Sequence, residues 1–106
     1  MNPLADPILA RLRASLEKAY GARIKRLVLF GSRARGDARP DSDYDVAVFL
    51  NEVDSFWKES GRLADIGTDI LYDTGELVRA LPYPAGAYND PRMPLMHEIR
   101  REGLDL

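Results

Sequence analysis

Cysteine is missing from all 106 residues, which removes disulfides, thiolate metal sites and cysteine nucleophiles together. No run of about 18 apolar residues exists, and the opening MNPLADPILA lacks a basic segment followed by an apolar one. Neither a membrane span nor a signal peptide is therefore expected, and the chain reads as cytoplasmic. An excess of positive charge is missing too: 15 basic residues face 17 acidic ones. Without a basic field, direct nucleic-acid binding is not expected. At this length residues 1–106 fit a single domain with one hydrophobic core and no room for a separate lid. Substrates must then bind on an open surface or against a partner.

What is present is a regular alternation of helical and strand patterns. Asp6 followed by Pro7 reads as a helix cap and first helical residue, and Ile8, Leu9, Leu12, Leu16 and Ala19 recur at helical spacing until Gly21. Residues 24–30, IKRLVLF, and 44–50, YDVAVFL, are compact apolar runs that suit strands buried on both faces. Between them GSRARGDARPDSD is too polar for core and forms a surface loop, with room for one helical turn after Gly31. A second helix is predicted from Asp54 or Ser55, placing Phe56, Leu63, Ile66 and Ile70 on one face and stopping at Gly75. Gly61 and Gly67 weaken that helix by roughly 1 kcal/mol each relative to alanine, so packing must supply the difference. Residues 76–81, ELVRAL, read as a third strand ending at Pro82, and Pro94 opens a last helix through Leu95, Met96 and Ile99, closed by Gly103. The pattern predicts an α/β fold with a small sheet flanked by helices.

Asp43 and Asp45 lie two apart at the start of a predicted strand, so both carboxylates leave the same face. Two like charges that close call for a cation, and hard carboxylate oxygens favour Mg²⁺. Gly31 and Ser32 follow the preceding strand directly, where turning backbone presents N–H groups suited to phosphate oxygens. Glycine permits backbone angles and a close approach that a side chain would block, and Ser32 adds a hydroxyl. Each feature alone is commonplace: most D-x-D pairs are ordinary turn acids, and most Gly-Ser pairs are plain turns. Their fixed combination arises by chance in on the order of one chain per thousand of this length. Neighbouring strands would bring both to one rim, where a triphosphate touches each.

The segment GSRARGDARPDSDYDVAVFL, with Gly31-Ser32, ten residues and then Asp43-x-Asp45, resembles the signature of the minimal nucleotidyltransferases, members of the DNA polymerase β-like nucleotidyltransferase superfamily. The order of elements is similar over nearly the whole chain, and PLMHEIRREGLDL looks like the family's closing helix and short terminal strand. The resemblance implies a mixed sheet flanked by helices, Mg²⁺ on Asp43 and Asp45 as catalytic and metal residues, and ATP phosphates at Gly31 and Ser32; Arg33, read from the loop itself, is a further nucleotide-binding candidate. The implied reaction is attack of an acceptor hydroxyl on the α-phosphorus with loss of pyrophosphate. Many such proteins are antitoxins of HEPN-domain ribonuclease toxins, and some transfer AMP to a toxin tyrosine. That partner and acceptor enter through the likeness alone.

The family commonly adds a third acid from a later strand. Glu76 is the first candidate here; Asp69 and Asp73 fall on or near the second helix, and position 79 holds Arg79. Arg33 is expected near phosphate or bracing the loop, Arg35 bracing it against Asp37 or Asp41, and the lone His97 on the surface or in an interface. A calcium loop also matches Asp41, Asp43, Asp45 and Glu52, but its sixth position needs glycine and holds Val46. The stronger rival is a non-catalytic antitoxin that blocks its toxin by contact through Phe56, Trp57, Tyr83, Tyr88 and Met93.

Overall fold

The computed structural model describes residues 2–106. Helix α1 (Pro7–Tyr20) starts where the Asp6 carboxylate accepts the Ile8 N–H, at 2.8 Å, and it ends at Gly21. It is followed by β1 (Ile24–Phe30), the single turn α2 (Ser32–Arg35), β2 (Tyr44–Leu50), α3 (Phe56–Thr74), β3 (Val78–Pro84), α4 (Pro94–Glu102) and the two-residue β4 (Leu104–Asp105). The strands form one mixed sheet in the order β3-β2-β1-β4, with β1 antiparallel to β2 and β4, and β2 parallel to β3. The two apolar runs become the two central strands, where covered faces on both sides select such composition.

One face of the sheet carries Leu27, Leu29, Tyr44, Val46, Val48 and Leu50, packed against Leu9, Leu12, Leu16 and Tyr20 of α1 and Leu63 and Ile70 of α3. The other presents Val28, Ala47 and Phe49 to Met96 and Ile99 of α4 and to Ala87. Tyr83 stacks on Phe49 and Tyr88 meets it edge-on, with ring centroids 5.7 and 5.4 Å away. Since α4 and residues 85–89 pack on this second face around Val28 and Phe49, the stretch near Phe30 and Asp45 is left only partly covered. That half-covered end of the sheet is where the chemistry-bearing residues converge. Among the described residues, no helix is long and apolar enough to cross a membrane.

Several expectations need correction. On α1 the last inward position belongs to Tyr20, while Ala19 is exposed. On α3, capped by Ser55 and stopped at Gly75, Phe56 points outward, and the inner position one turn later is taken by Glu59, buried in an ion pair with Arg23. The third strand starts at Val78 and runs through Pro82 to Pro84. β3 is a sheet edge, and an edge strand tolerates prolines because a missing N–H there costs no ladder bond. The weak point at Gly67 is also resolved: a Cβ there would sit 2.9 Å from the Val78 carbonyl oxygen, so glycine lets α3 lie close on β3. Burying Leu63 and Ile70 contributes about 1.5–3 kcal/mol each, which outweighs the roughly 1 kcal/mol propensity cost of each glycine.

Candidate active site

β1 and β2 are antiparallel neighbours, and Phe30 pairs with Asp45. The residue after Phe30 is therefore delivered to the strand end where the acids sit. Gly31 adopts φ 78° and ψ −158°, a combination open to glycine, and turns the chain directly from β1 into α2. A Cβ at this position would lie 2.7 Å from Asp45 Oδ2, so the bend and the carboxylate are in immediate contact. Ser32 opens α2, whose later N–H groups bond back to the Gly31 and Ser32 carbonyls. The N–H groups of a first turn have no intrahelical acceptor and face outward. Gly31 and Asp45 are thus brought into contact, with Ser32 next along the chain.

Asp43 stands just ahead of β2, close enough that its charge raises the Asp45 carboxyl. Asp45 lies above the usual carboxylate range chiefly because of burial; Arg79 pulls it down, and Asp43 pushes it up further. Such a carboxylate, partly desolvated and facing a like charge, is a ready cation ligand. The donor set fits a single divalent ion: two hard acids beside outward N–H groups that can hold the phosphates completing its shell.

Tyr44, between the two acids, points to the opposite face, and strand alternation alone predicts this. Its hydroxyl donates to Asp6 at 2.7 Å, and its ring lies 3.9 Å beneath the Arg33 guanidinium. Arg33 in turn donates to the Ser42 carbonyl at 2.8 Å and to that of Pro40 at 3.4 Å. The loop's two ends are clamped by this one side chain, so the Asp43 backbone is held from below. Burial, aided by the bond to Asp6, pushes the Tyr44 phenol up to about 12. A cleft lined by Asp6, Leu9, Leu29, Arg33 and Tyr44 lies on this far side of the sheet, away from the Asp45 carboxylate.

The acids expected as possible third members lie elsewhere. Glu76 precedes β3 and sits 3.7 Å from Arg33, on the clamp. Asp73 pairs with Arg11 at 2.7 Å, and Asp69 is exposed on α3. Among the described residues no three of His, Cys, Asp and Glu gather into a metal-binding group. What the sequence reading missed is the neighbour of Asp45 on β3: the register pairs it with Arg79, whose Nε is 3.9 Å from Asp45 Oδ1. Arg35 braces the loop through Asp37 and Glu102, each at 3.3 Å, and His97 is an exposed residue beside Arg100. The calcium-loop match is closed off by structure, since Tyr44–Leu50 is strand.

Tyr83, Tyr88 and Met93, expected to join an exposed apolar patch, are half-buried against the second core face. Phe56 and Trp57 are exposed, 55% and 82%, as the contact reading requires, and they form an edge-on pair at the start of α3. For Phe56 this goes against the inward place that the helical spacing predicts.

Comparison with known proteins places this geometry. A relative from Methanocaldococcus jannaschii, named as a candidate protein adenylyltransferase, is 34% identical over 67 residues, covering 63% of this chain and 61% of that protein. The match therefore spans under two thirds of the relative's length. A solved structure described as a candidate minimal nucleotidyltransferase superimposes with a TM-score of 0.58 at 27% identity, covering 95% of this chain and 94% of that one. The fold also matches a crystal structure of a toxin-antitoxin with AMP-PNP, with a TM-score of 0.62, 16% identity and coverage of 91% of this chain and 69% of that one. Residues 9–85, well over half of the chain and including the Gly31-Ser32 bend and both acids, match the nucleotidyltransferase domain, and the chain belongs to that family.

Proposed function

We propose that this nucleotidyltransferase domain transfers AMP from Mg-ATP to a protein hydroxyl, a tyrosine of a cognate HEPN ribonuclease toxin, and so acts as the antitoxin. The observation that carries the reading is the contact of the Gly31 bend with Asp45, because it joins a phosphate-binding turn to a cation-binding pair in one place. Asp43 and Asp45 hold the ion, and the Ser32 backbone and hydroxyl hold phosphate. Arg33, expected near phosphate, lies instead over the Tyr44 ring on the far side of the sheet, where it serves by fixing the loop that carries Asp43. Mg²⁺, when bound, supplies charge neutralisation at the triphosphate. The bond formed joins the acceptor oxygen to the α-phosphorus, the bond broken is the one to the bridging oxygen, and pyrophosphate leaves. The acceptor's proton passes to the solvent bathing the open end of the face.

Support for a protein acceptor comes from the open site and from the relatives. The partly covered rim at Phe30 and Asp45 leaves room for a side chain presented by another protein. The named function of the M. jannaschii relative and the toxin-antitoxin assembly of a fold neighbour point the same way. The test is direct: purified chain, Mg²⁺, a HEPN toxin encoded beside it and ATP labelled at either end. Label at the α position should move to the toxin and label at the γ position should not; γ transfer would mean a kinase and defeat the mechanism.

A second reading is neutralisation by contact, favoured by Trp57 and Phe56 standing exposed on α3. The double variant Asp43→Asn, Asp45→Asn separates the two. Loss of both modification and neutralisation supports transfer, whereas full neutralisation supports contact.

A further inference from the structure

We infer that Arg79 fills the place of a second cation beside Asp45 with its own guanidinium, so that the site takes one divalent ion with its nucleotide. This rests on the nucleotide-binding reading above. The parallel register of β2 and β3 sets Arg79 directly beside Asp45 on the same face of the sheet, with Nε 3.9 Å from Oδ1. Asp45 is the one ion-pair partner of Arg79 among the described residues. A second Mg²⁺ sharing Asp45 would bond its carboxylate at about 2.0–2.1 Å. A guanidinium already drawn to within 3.9 Å of Asp45 Oδ1 competes for that carboxylate and sets a positive charge against the incoming ion.

The ligand supply leads to the same conclusion. Each Mg²⁺ seeks about six oxygens, and Asp43 and Asp45 with phosphate and water oxygens can complete one such shell. A second shell requires a further carboxylate near Asp45, yet no third His, Cys, Asp or Glu gathers there among the described residues. The neighbouring strand offers its one adjacent position to arginine. Like charges repel across this gap, so the side chain that steadies Asp45 also resists a second ion. At 59% side-chain exposure, Arg79 takes no part in the core, so substitutions there are expected to spare the fold.

The full chain can be titrated with Mn²⁺ in the presence of α,β-methylene ATP, with free Mn²⁺ counted by electron paramagnetic resonance. The wild-type chain should saturate at one Mn²⁺. Arg79→Asp, which puts a carboxylate beside Asp45, should take up a second. Arg79→Ala should retain one and bind it about ten-fold more tightly, since the repulsion is lifted. Circular dichroism melting verifies that each variant is folded. Two Mn²⁺ on the wild-type chain would overturn the inference and leave the nucleotide reading standing. So would a single Mn²⁺ on folded Arg79→Asp, or unchanged affinity in Arg79→Ala. Failure of the wild-type chain to take up any Mn²⁺ with the nucleotide analogue would remove the nucleotide reading, and this inference with it.

Discussion

Replacing Gly31 with alanine loads the turn after β1 in two separable ways. Its φ of 78° and ψ of −158° lie where side chains are strained, at a cost of about 1–3 kcal/mol. In a domain of this size each kcal/mol lowers the melting temperature by roughly 4–8 °C, so a loss of about 4–24 °C is expected. The second load is the new methyl, 2.7 Å from Asp45 Oδ2. A carboxylate end can swing aside, so this contact adds little to the stability loss, but it moves the very group that should hold the ion. Nucleotide affinity should fall at least about ten-fold, the loss of one charge-assisted interaction. Gly75→Ala is the control, because Gly75 has a similar φ of 77° and nothing within 4 Å of its Cβ position. It should lose stability by about 1–2 kcal/mol and keep nucleotide binding. Thermal melting followed by Mg-ATP titration of the folded variants measures both quantities. Equal nucleotide affinity in the Gly31 and Gly75 variants would refute the claim that the bend positions Asp45.

Asp45→Asn should raise the melting temperature of the metal-free chain while abolishing Mg²⁺ and nucleotide binding, because burial and Asp43 both disfavour the charged carboxylate; a lower melting temperature would contradict this. Tyr44→Phe removes the bond to Asp6 and should cost about 1.5–3 kcal/mol at neutral pH. The folded-state phenol titrates at about 12 against an ordinary 10.0, so its contribution is complete below pH 10 and fades as pH rises towards 12. Denaturant titrations across that window should therefore show wild-type and Tyr44→Phe stabilities converging, and a constant gap would count against the assignment. Arg23→Ala strands the buried Glu59 carboxylate and should lower the melting temperature more than Glu59→Gln does, a ranking that thermal melts can reverse or uphold.

Much of this architecture was legible because local chemistry and tertiary context agree. Asp6 and Ser55 cap the helices their spacing announced, and the apolar runs at 24–30 and 44–50 became the central strands. The Gly31, Ser32 and Asp45 cluster was legible for a different reason: alternation along a strand fixes the face, and an antiparallel partner then fixes the rim. Errors arose where a residue's role depends on a neighbour distant in sequence. Glu59 lies inward only because Arg23, before β1, comes across to meet it, so periodicity favoured Phe56 instead. Pro82 looked like a strand end until the sheet order made β3 an edge. Arg79 was visible as a basic residue in an unexpected position, but its approach to Asp45 depends on a parallel register that no local pattern carries. Glu76 shows the converse, an acid near the right place in sequence that the fold commits to Arg33.

The most direct test of the central claim is a diffraction structure of the chain with Mn²⁺ and α,β-methylene ATP, with the ion located by its anomalous signal. The predicted result is an ion ligated by Asp43 and Asp45, with a phosphate oxygen on the Ser32 N–H. An ion bound away from both aspartates, or a triphosphate seated in the cleft beside Tyr44 on the far side of the sheet, would contradict it.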